Sequence, residues 1–200
     1  MTIIGITGGI GAGKTTALAC FQELGGHVLE ADEVTRHVCR QGSEAYQMII
    51  GRWGSKVIGK DGDIDRGAIA ELVFGDADQL AWLNSIIHPR VQQAIVAAAR
   101  SLAGGQTLFC AVPLLFEVGW ENQFDWVICV WCDPATQQER LEKRGWSREQ
   151  IKLRQKHQWS MDRKAEPADF VVVNIGSHDL LEIQCRHLYN QLARQPARSD

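Results

Sequence analysis

The 200-residue sequence predicts an α/β protein built on a central parallel sheet. Three features carry that prediction. Short apolar runs alternate with helical patterns along the chain. Those runs are continuously apolar, as strands covered on both faces must be. A glycine-rich loop separates the first run from the first helical pattern.

The elements follow in order. Thr2–Thr7 (TIIGIT) reads as the first strand and Thr15–Leu24 as the first helix, ended by Gly25 and Gly26. His27–Ala31 (HVLEA) reads as a second strand with Asp32 at its carboxyl end. From Val34 to Arg100 no comparable strand run occurs, and the patterns EAYQMIIGRW, QLAWLNSII and VQQAIVAAAR predict a helical insert. Leu108–Val112 and Trp126–Trp131 are two further buried strands. Asp133 is placed to cap a helix that has Pro134 at its first position and stops at Gly145. Ser147-Arg148-Glu149-Gln150 has the capping-box pattern that starts the next helix. Phe170–Val173 is the last strand. A turn at Asn174–Gly176 then leads to a C-terminal helix bearing Leu180, Leu181, Leu188 and Leu192.

Composition narrows the function. At 45% hydrophobic and 22% charged residues the chain is an ordinary folding sequence, neither disordered nor collagen-like. The longest uncharged stretch, Ser101–Phe116, is broken by Gly104, Gly105 and Pro113, so no membrane partner is expected. The N-terminus lacks the basic segment and cleavage site of a secretory leader. Six scattered cysteines suit reduced thiols and a cytoplasmic location. Cys129-x-x-Cys132 has no second pair to complete a zinc site and reads as buried strand thiols. A net charge of −3 argues against a nucleic-acid partner. Charge is nevertheless segregated: Gln137–Lys164 holds nine Lys/Arg against four Asp/Glu.

The segment Gly8-Gly9-Ile10-Gly11-Ala12-Gly13-Lys14-Thr15 is a complete G-x-x-x-x-G-K-[ST] between a predicted strand and a predicted helix. Glycines let the backbone curl so that successive N–H groups face phosphate oxygens, and the helix start adds a positive end. Lys14 supplies a point charge to the β- and γ-phosphates, and the Thr15 hydroxyl is placed to ligate Mg²⁺. The chain therefore reads as a nucleoside triphosphate binder. The guanine-reading N-K-x-D and the switch motif D-x-x-G are both missing, which excludes a GTPase switch. No strand ends in the Asp-Glu usual in nucleic-acid motors.

Two other features suggest a small-molecule kinase with a closing lid. Asp32, beyond the end of a strand, is placed to act on an acceptor hydroxyl, with Glu30 as a rival carboxylate. The competing role for Asp32 is a plain helix-start residue. Arg36, one turn on, would hold an anionic group of the acceptor. Arg140 and Arg144 share a helical face in the basic segment and suit a clamp on transferring phosphate. Asp61-Gly62-Asp63-Ile64-Asp65 has the glycine out of place for a calcium loop and reads as a polar turn.

At this point the chain resembles the dephospho-CoA kinase family over nearly its whole length. The resemblance lies in GITGGIGAGKTT (5–16), LGGHVLEADEVTR (24–36), DGDIDR (61–66), Val73-Phe74, LNSIIHP (83–89) and PLLFE (113–117). It continues in Gln137-x-x-Arg140-Leu141-x-x-Arg144, Arg154-x-x-x-Gln158, Lys164, Ala168-Asp169 and Asn174-x-Gly176. Where such proteins usually have Asp-Ala-Asp, this chain has Glu30-Ala31-Asp32.

The resemblance implies a three-layer P-loop NTPase fold. A nucleotide-binding core would comprise residues 1–33, 105–135 and 167–200, with a helical substrate-binding domain at 34–104 and a lid at 136–166. It implies ATP and dephospho-CoA as partners, Mg²⁺ as cofactor, and phosphorylation of the ribose 3′-hydroxyl. Asp32, Lys14 and Arg140 would be catalytic. Gly9, Ile10, Gly11, Ala12, Gly13, Lys14, Thr15, Thr16, Arg140, Arg144 and Asn174 would bind ATP. Asp32, Arg36, His88, Leu114 and Glu117 would bind the acceptor, and Thr15 the metal. A monomer is expected. The competing functions are a P-loop kinase for another nucleoside- or nucleotide-like acceptor, and a nucleotide-dependent regulatory switch.

Overall fold

A computed structural model describes residues 1–193, so the last seven residues of the expected 167–200 core segment lie outside the described residues. The chain divides into two compact units. One comprises Met1–Glu30 and the described residues from Ala99 onward; the other comprises Ala31–Ala98.

The first unit is a five-stranded, all-parallel sheet with flanking helices, as the sequence predicts. Its strands are β1 (Thr2–Thr7), β2 (His27–Glu30), β3 (Thr107–Ala111), β4 (Trp126–Trp131) and β5 (Phe170–Val173), in the spatial order β2-β3-β1-β4-β5. The register sets Ile4 beside Phe109 and Trp126, and Ile6 beside Ala111 and Ile128. Helices α1 (Lys14–Glu23) and α9 (His178–Leu192) seal this face: Ile4, Ile6, Phe109, Ile128 and Val130 are buried with Phe21, Leu181 and Cys185 in one cluster. Phe21 stacks on Phe109 with ring centroids 4.3 Å apart. On the other face, a Cβ at Gly5 would strike Leu115 at 2.7 Å and Phe124 at 3.0 Å, so the central strand needs glycine there. Of the four leucines expected on α9, Leu181, Leu188 and Leu192 are buried and Leu180 is exposed.

The basic segment forms α6 (Pro134–Lys143), α7 (Arg148–Gln155) and the short α8 (Met161–Ala165). The predicted caps are present. Asp133 accepts from Thr136 N, and the Ser147–Gln150 capping box is complete. Helix α8 had no sequence-level prediction; Ser160 caps it by accepting from Arg163 N.

The second unit contains α2 (Ala31–Val38), α3 (Glu44–Trp53), α4 (Arg66–Val73) and most of α5 (Ala77–Arg100) around buried Ile49, Val57, Ile69 and Leu83. The two patterns read either side of His88-Pro89 are one helix, with Pro89 inside it. Asp61 and Asp63 accept from backbone N–H groups of Asp63 and Gln41, and Asp65 caps α4, so these aspartates are turn-forming. Among the described residues no helix is long and apolar enough to cross a membrane.

Several predicted limits need correction: α1 runs Lys14–Glu23 rather than Thr15–Leu24, and β3 runs Thr107–Ala111 rather than Leu108–Val112. The second strand stops at Glu30 rather than Ala31, where its pairing with β3 ends at Ala111. Helix α2 starts at once, so Asp32 is its second residue rather than a strand tip. The physical reason is the helix dipole: Asp32 and Glu33 in the first turn and Arg36 and His37 in the last favour an early start.

Candidate active site

The loop between β1 and α1 builds the site. Among the described residues seven other helices begin on a side-chain cap from Ser or Asp, whereas α1 begins on Gly13 with no side-chain cap. Gly13 has φ 97°, and a Cβ on it would collide with the Asn174 side-chain amide. Only glycine can hold both constraints. The first turn of α1 therefore offers its N–H groups to an incoming anion.

Around that turn the fold gathers residues far apart in sequence. Gly11, Gly13, Thr16, Arg140, Arg144 and Asn174 line one cavity of about 390 Å³. Arg140 donates from Nη1 to the Ala12 carbonyl at 3.4 Å and from Nη2 to Asn174 Oδ1 at 3.3 Å. Asn174 Nδ2 donates to the same Ala12 carbonyl at 2.8 Å. Thr15 is exposed on the first turn. Lys14 Nζ donates to the carbonyls of Gly8 and Gly9, each at 2.9 Å, which folds the ammonium back across the loop.

The remaining expected positions are distributed as follows. Leu114 is exposed in the segment after β3. Glu117 is nearly buried and forms an ion pair with the fully buried Lys164 at 2.7 Å, while also accepting from Trp159 N. Burial pushes the Lys164 ammonium below the ordinary lysine range, and Glu117 opposes that shift. In the second unit, Arg36 is exposed and lies 3.7 Å from Glu33. Burial lowers the basicity of His88 on α5. A cavity of about 600 Å³ in this unit is lined by Arg36, Arg40 and Arg66 together with Ile49, Ile69 and Leu83.

Three loop contacts escaped residue-by-residue sequence reading. Gly9 N–H points at Met161 Sδ (3.2 Å), Ile10 N–H donates to Gln158 Oε1 (3.1 Å), and Gln137 Nε2 donates to the Ile10 carbonyl (2.7 Å). Gln137 and Gln158 stand within the motifs quoted above, but their spacing says nothing about which backbone group each one reaches.

A strand, a curled glycine loop and an uncapped helix led by lysine, set in an all-parallel sheet, define a nucleotide-binding protein of the P-loop class. Within that class the chain belongs to the dephospho-CoA kinase family, whose model matches residues 2–179. It is 37% identical over 179 residues to dephospho-CoA kinase from Geobacillus kaustophilus, covering 88% of this chain and 89% of the relative. A crystal structure from Thermus thermophilus superposes with a TM-score of 0.83 at 32% identity, covering 96% of this chain and 97% of that one. Dephospho-CoA kinase from Campylobacter jejuni shares the fold, with a TM-score of 0.70 at 23% identity and coverage of 96% and 97%.

Proposed function

We propose that the protein transfers the γ-phosphoryl group of ATP to the ribose 3′-hydroxyl of dephospho-CoA, giving coenzyme A and ADP. The observation that carries this reading is the uncapped, lysine-led start of α1, set among Arg140, Arg144 and Asn174 in a chain of this family. Gly9 to Gly13 shape the cradle, and the N–H groups at the helix start hold the phosphates. Lys14 and Arg140 neutralise charge on the transferring group, and Arg144 and Asn174 bound the nucleotide cavity.

Asp32 accepts the proton of the attacking 3′-hydroxyl. The new O–P bond forms as the bond to the β,γ-bridging oxygen breaks, and that oxygen leaves on ADP. His88, Leu114 and Glu117 are assigned to acceptor binding. The 600 Å³ cavity sets three guanidinium groups beside the carboxylates of Glu33, Asp61 and Asp63, and its isoleucine and leucine lining suits an apolar arm of the acceptor. Thr15 presents a hard oxygen donor at the exposed helix start, which fits Mg²⁺. When bound there, Mg²⁺ screens the charge of the β- and γ-phosphates. Free thiols at all six cysteines suit a reducing compartment, and the protein is assigned to the cytoplasm as a monomer.

A coupled ADP-release assay tests the reading across dephospho-CoA, nucleosides and shikimate-like alcohols. Stimulation by dephospho-CoA, with the new phosphate mapped to the 3′-oxygen, is expected. Background hydrolysis with dephospho-CoA, or greater stimulation by another acceptor, would overturn it.

A further inference from the structure

We propose that Gln158 and Gln137 are positioning residues that set the direction of the Lys14 ammonium by gripping the backbone of the phosphate loop. The inference rests on the proposed kinase reaction for its kinetic consequence only.

A peptide unit is rigid, so whatever holds its N–H also fixes where its C=O points. In the Gly9–Ile10 unit, the N–H is held by Gln158 Oε1 at 3.1 Å and the C=O receives Lys14 Nζ at 2.9 Å. In the Gly8–Gly9 unit, the N–H faces Met161 Sδ at 3.2 Å and the C=O again receives Lys14 Nζ at 2.9 Å. Both carbonyls that seat the lysine thus belong to peptides gripped from behind by residues 158 and 161.

The next peptide is held from its other end. Its carbonyl, that of Ile10, accepts Gln137 Nε2 at 2.7 Å, and Gln137 Oε1 accepts Gln155 Nε2 at 2.9 Å. Gln137 is buried, so its amide cannot turn outward for water as a substitute partner. The missing side chain at position 9 leaves room for this approach: a Cβ there would meet Met161 Cε at 2.7 Å and Gln137 Nε2 at 3.3 Å, so the methionine tip would have to shift. The loop's phosphate side is left to Gly11, Gly13 and the first turn of α1, while Gly9 and Ile10 face the glutamines.

The chemistry of the two grips is opposite, which makes them separable. Gln158 must accept, and Gln137 must donate. Gln158→Glu keeps the acceptor, Gln158→Leu removes it, and Gln137→Glu sets a carboxylate against the Ile10 carbonyl. A role in packing alone would treat the two Glu variants alike.

The experiment has two arms. In nucleotide-free protein, amide hydrogen exchange at residues 8–11 is expected to show Ile10 protected in the wild type and in Gln158→Glu. Exposure of Ile10 is expected in Gln158→Leu, whereas in Gln137→Glu, which loses only the donor to the Ile10 carbonyl, the Ile10 amide is expected to keep its protection from Gln158. In steady-state assays with ATP and dephospho-CoA, Gln158→Leu and Gln137→Glu are expected to lower kcat by about tenfold or more. ADP keeps the β-phosphate but lacks the transferring γ-phosphate, so its calorimetric Kd is expected to rise by a smaller factor than kcat falls. An unprotected Ile10 amide in the wild type would overturn the proposal without any variant being needed. So would unchanged kcat in both variants, or equal losses in kcat and ADP affinity. Absence of acceptor-stimulated turnover in the wild type would instead overturn the proposed reaction, leaving the exchange arm to judge the grip.

Discussion

At Asp32 two local forces meet: β2 ends with its pairing to Ala111, and an acidic first turn favours an immediate helix start. The Asp32 carboxylate is exposed, and the proposed reaction gives it the role of proton acceptor. Replacing Asp32 by Asn keeps its shape and removes its basicity. Turnover is expected to fall by about 10²–10⁴-fold with ATP affinity nearly unchanged, measured by ADP release and calorimetry; a fully active variant would remove Asp32 from the mechanism. At this scale the phosphate loop was legible because its chemistry demands glycine and lysine at fixed spacing. The contacts of Gln137, Gln158 and Met161 were not, because a glutamine's partner depends on which backbone group another element brings to it.

Among the elements, the best-read were those with local signals. Strands β1, β4 and β5 and helix α3 match their predicted limits, and the Asp133 and Ser147 caps do what their spacing requires. The short α8 was missed because its five residues carry too little periodicity. Its importance is tertiary. Lys164 on α8 donates to the Pro113 carbonyl at 2.6 Å and to Glu117 at 2.8 Å, tying the segment after β3 to the basic helices. Lys164→Ala would leave a nearly buried carboxylate unpaired, and a loss of about 3–5 kcal/mol in unfolding free energy is expected. Replacing both partners, as Lys164→Met with Glu117→Leu, should cost less than the single change. Urea denaturation of the two variants checks this; a single-variant loss below about 1 kcal/mol would show the pair to be solvated.

For the whole molecule, burial sorts the cysteines. Cys110 and Cys185 are pushed up to about 12 and Cys129 to about 11, chiefly by removal from water. The thiolate is the reactive form, so these groups are inert near neutrality. Cys39 is half-buried, and Arg66 and Arg90 partly offset its upward shift. At pH 8 a thiol reagent is therefore expected to modify Cys39 first in the native protein, with all six thiols reacting after unfolding. Mass spectrometry of labelled peptides decides it; equal labelling of Cys110 would contradict the buried strand placement.

By itself the sequence determined the α/β class, the order of the strands along the chain and the phosphate loop. Each of these is written in nearest-neighbour terms: apolar runs, caps, and glycines beside a lysine. Only the tertiary structure decided the strand order β2-β3-β1-β4-β5 and the gathering of Arg140 and Asn174 on the Ala12 carbonyl. It alone set the two glutamines behind the loop. Those arrangements join residues about 40 to 160 positions apart, and such pairings are fixed by how buried faces pack together, which no local spacing records.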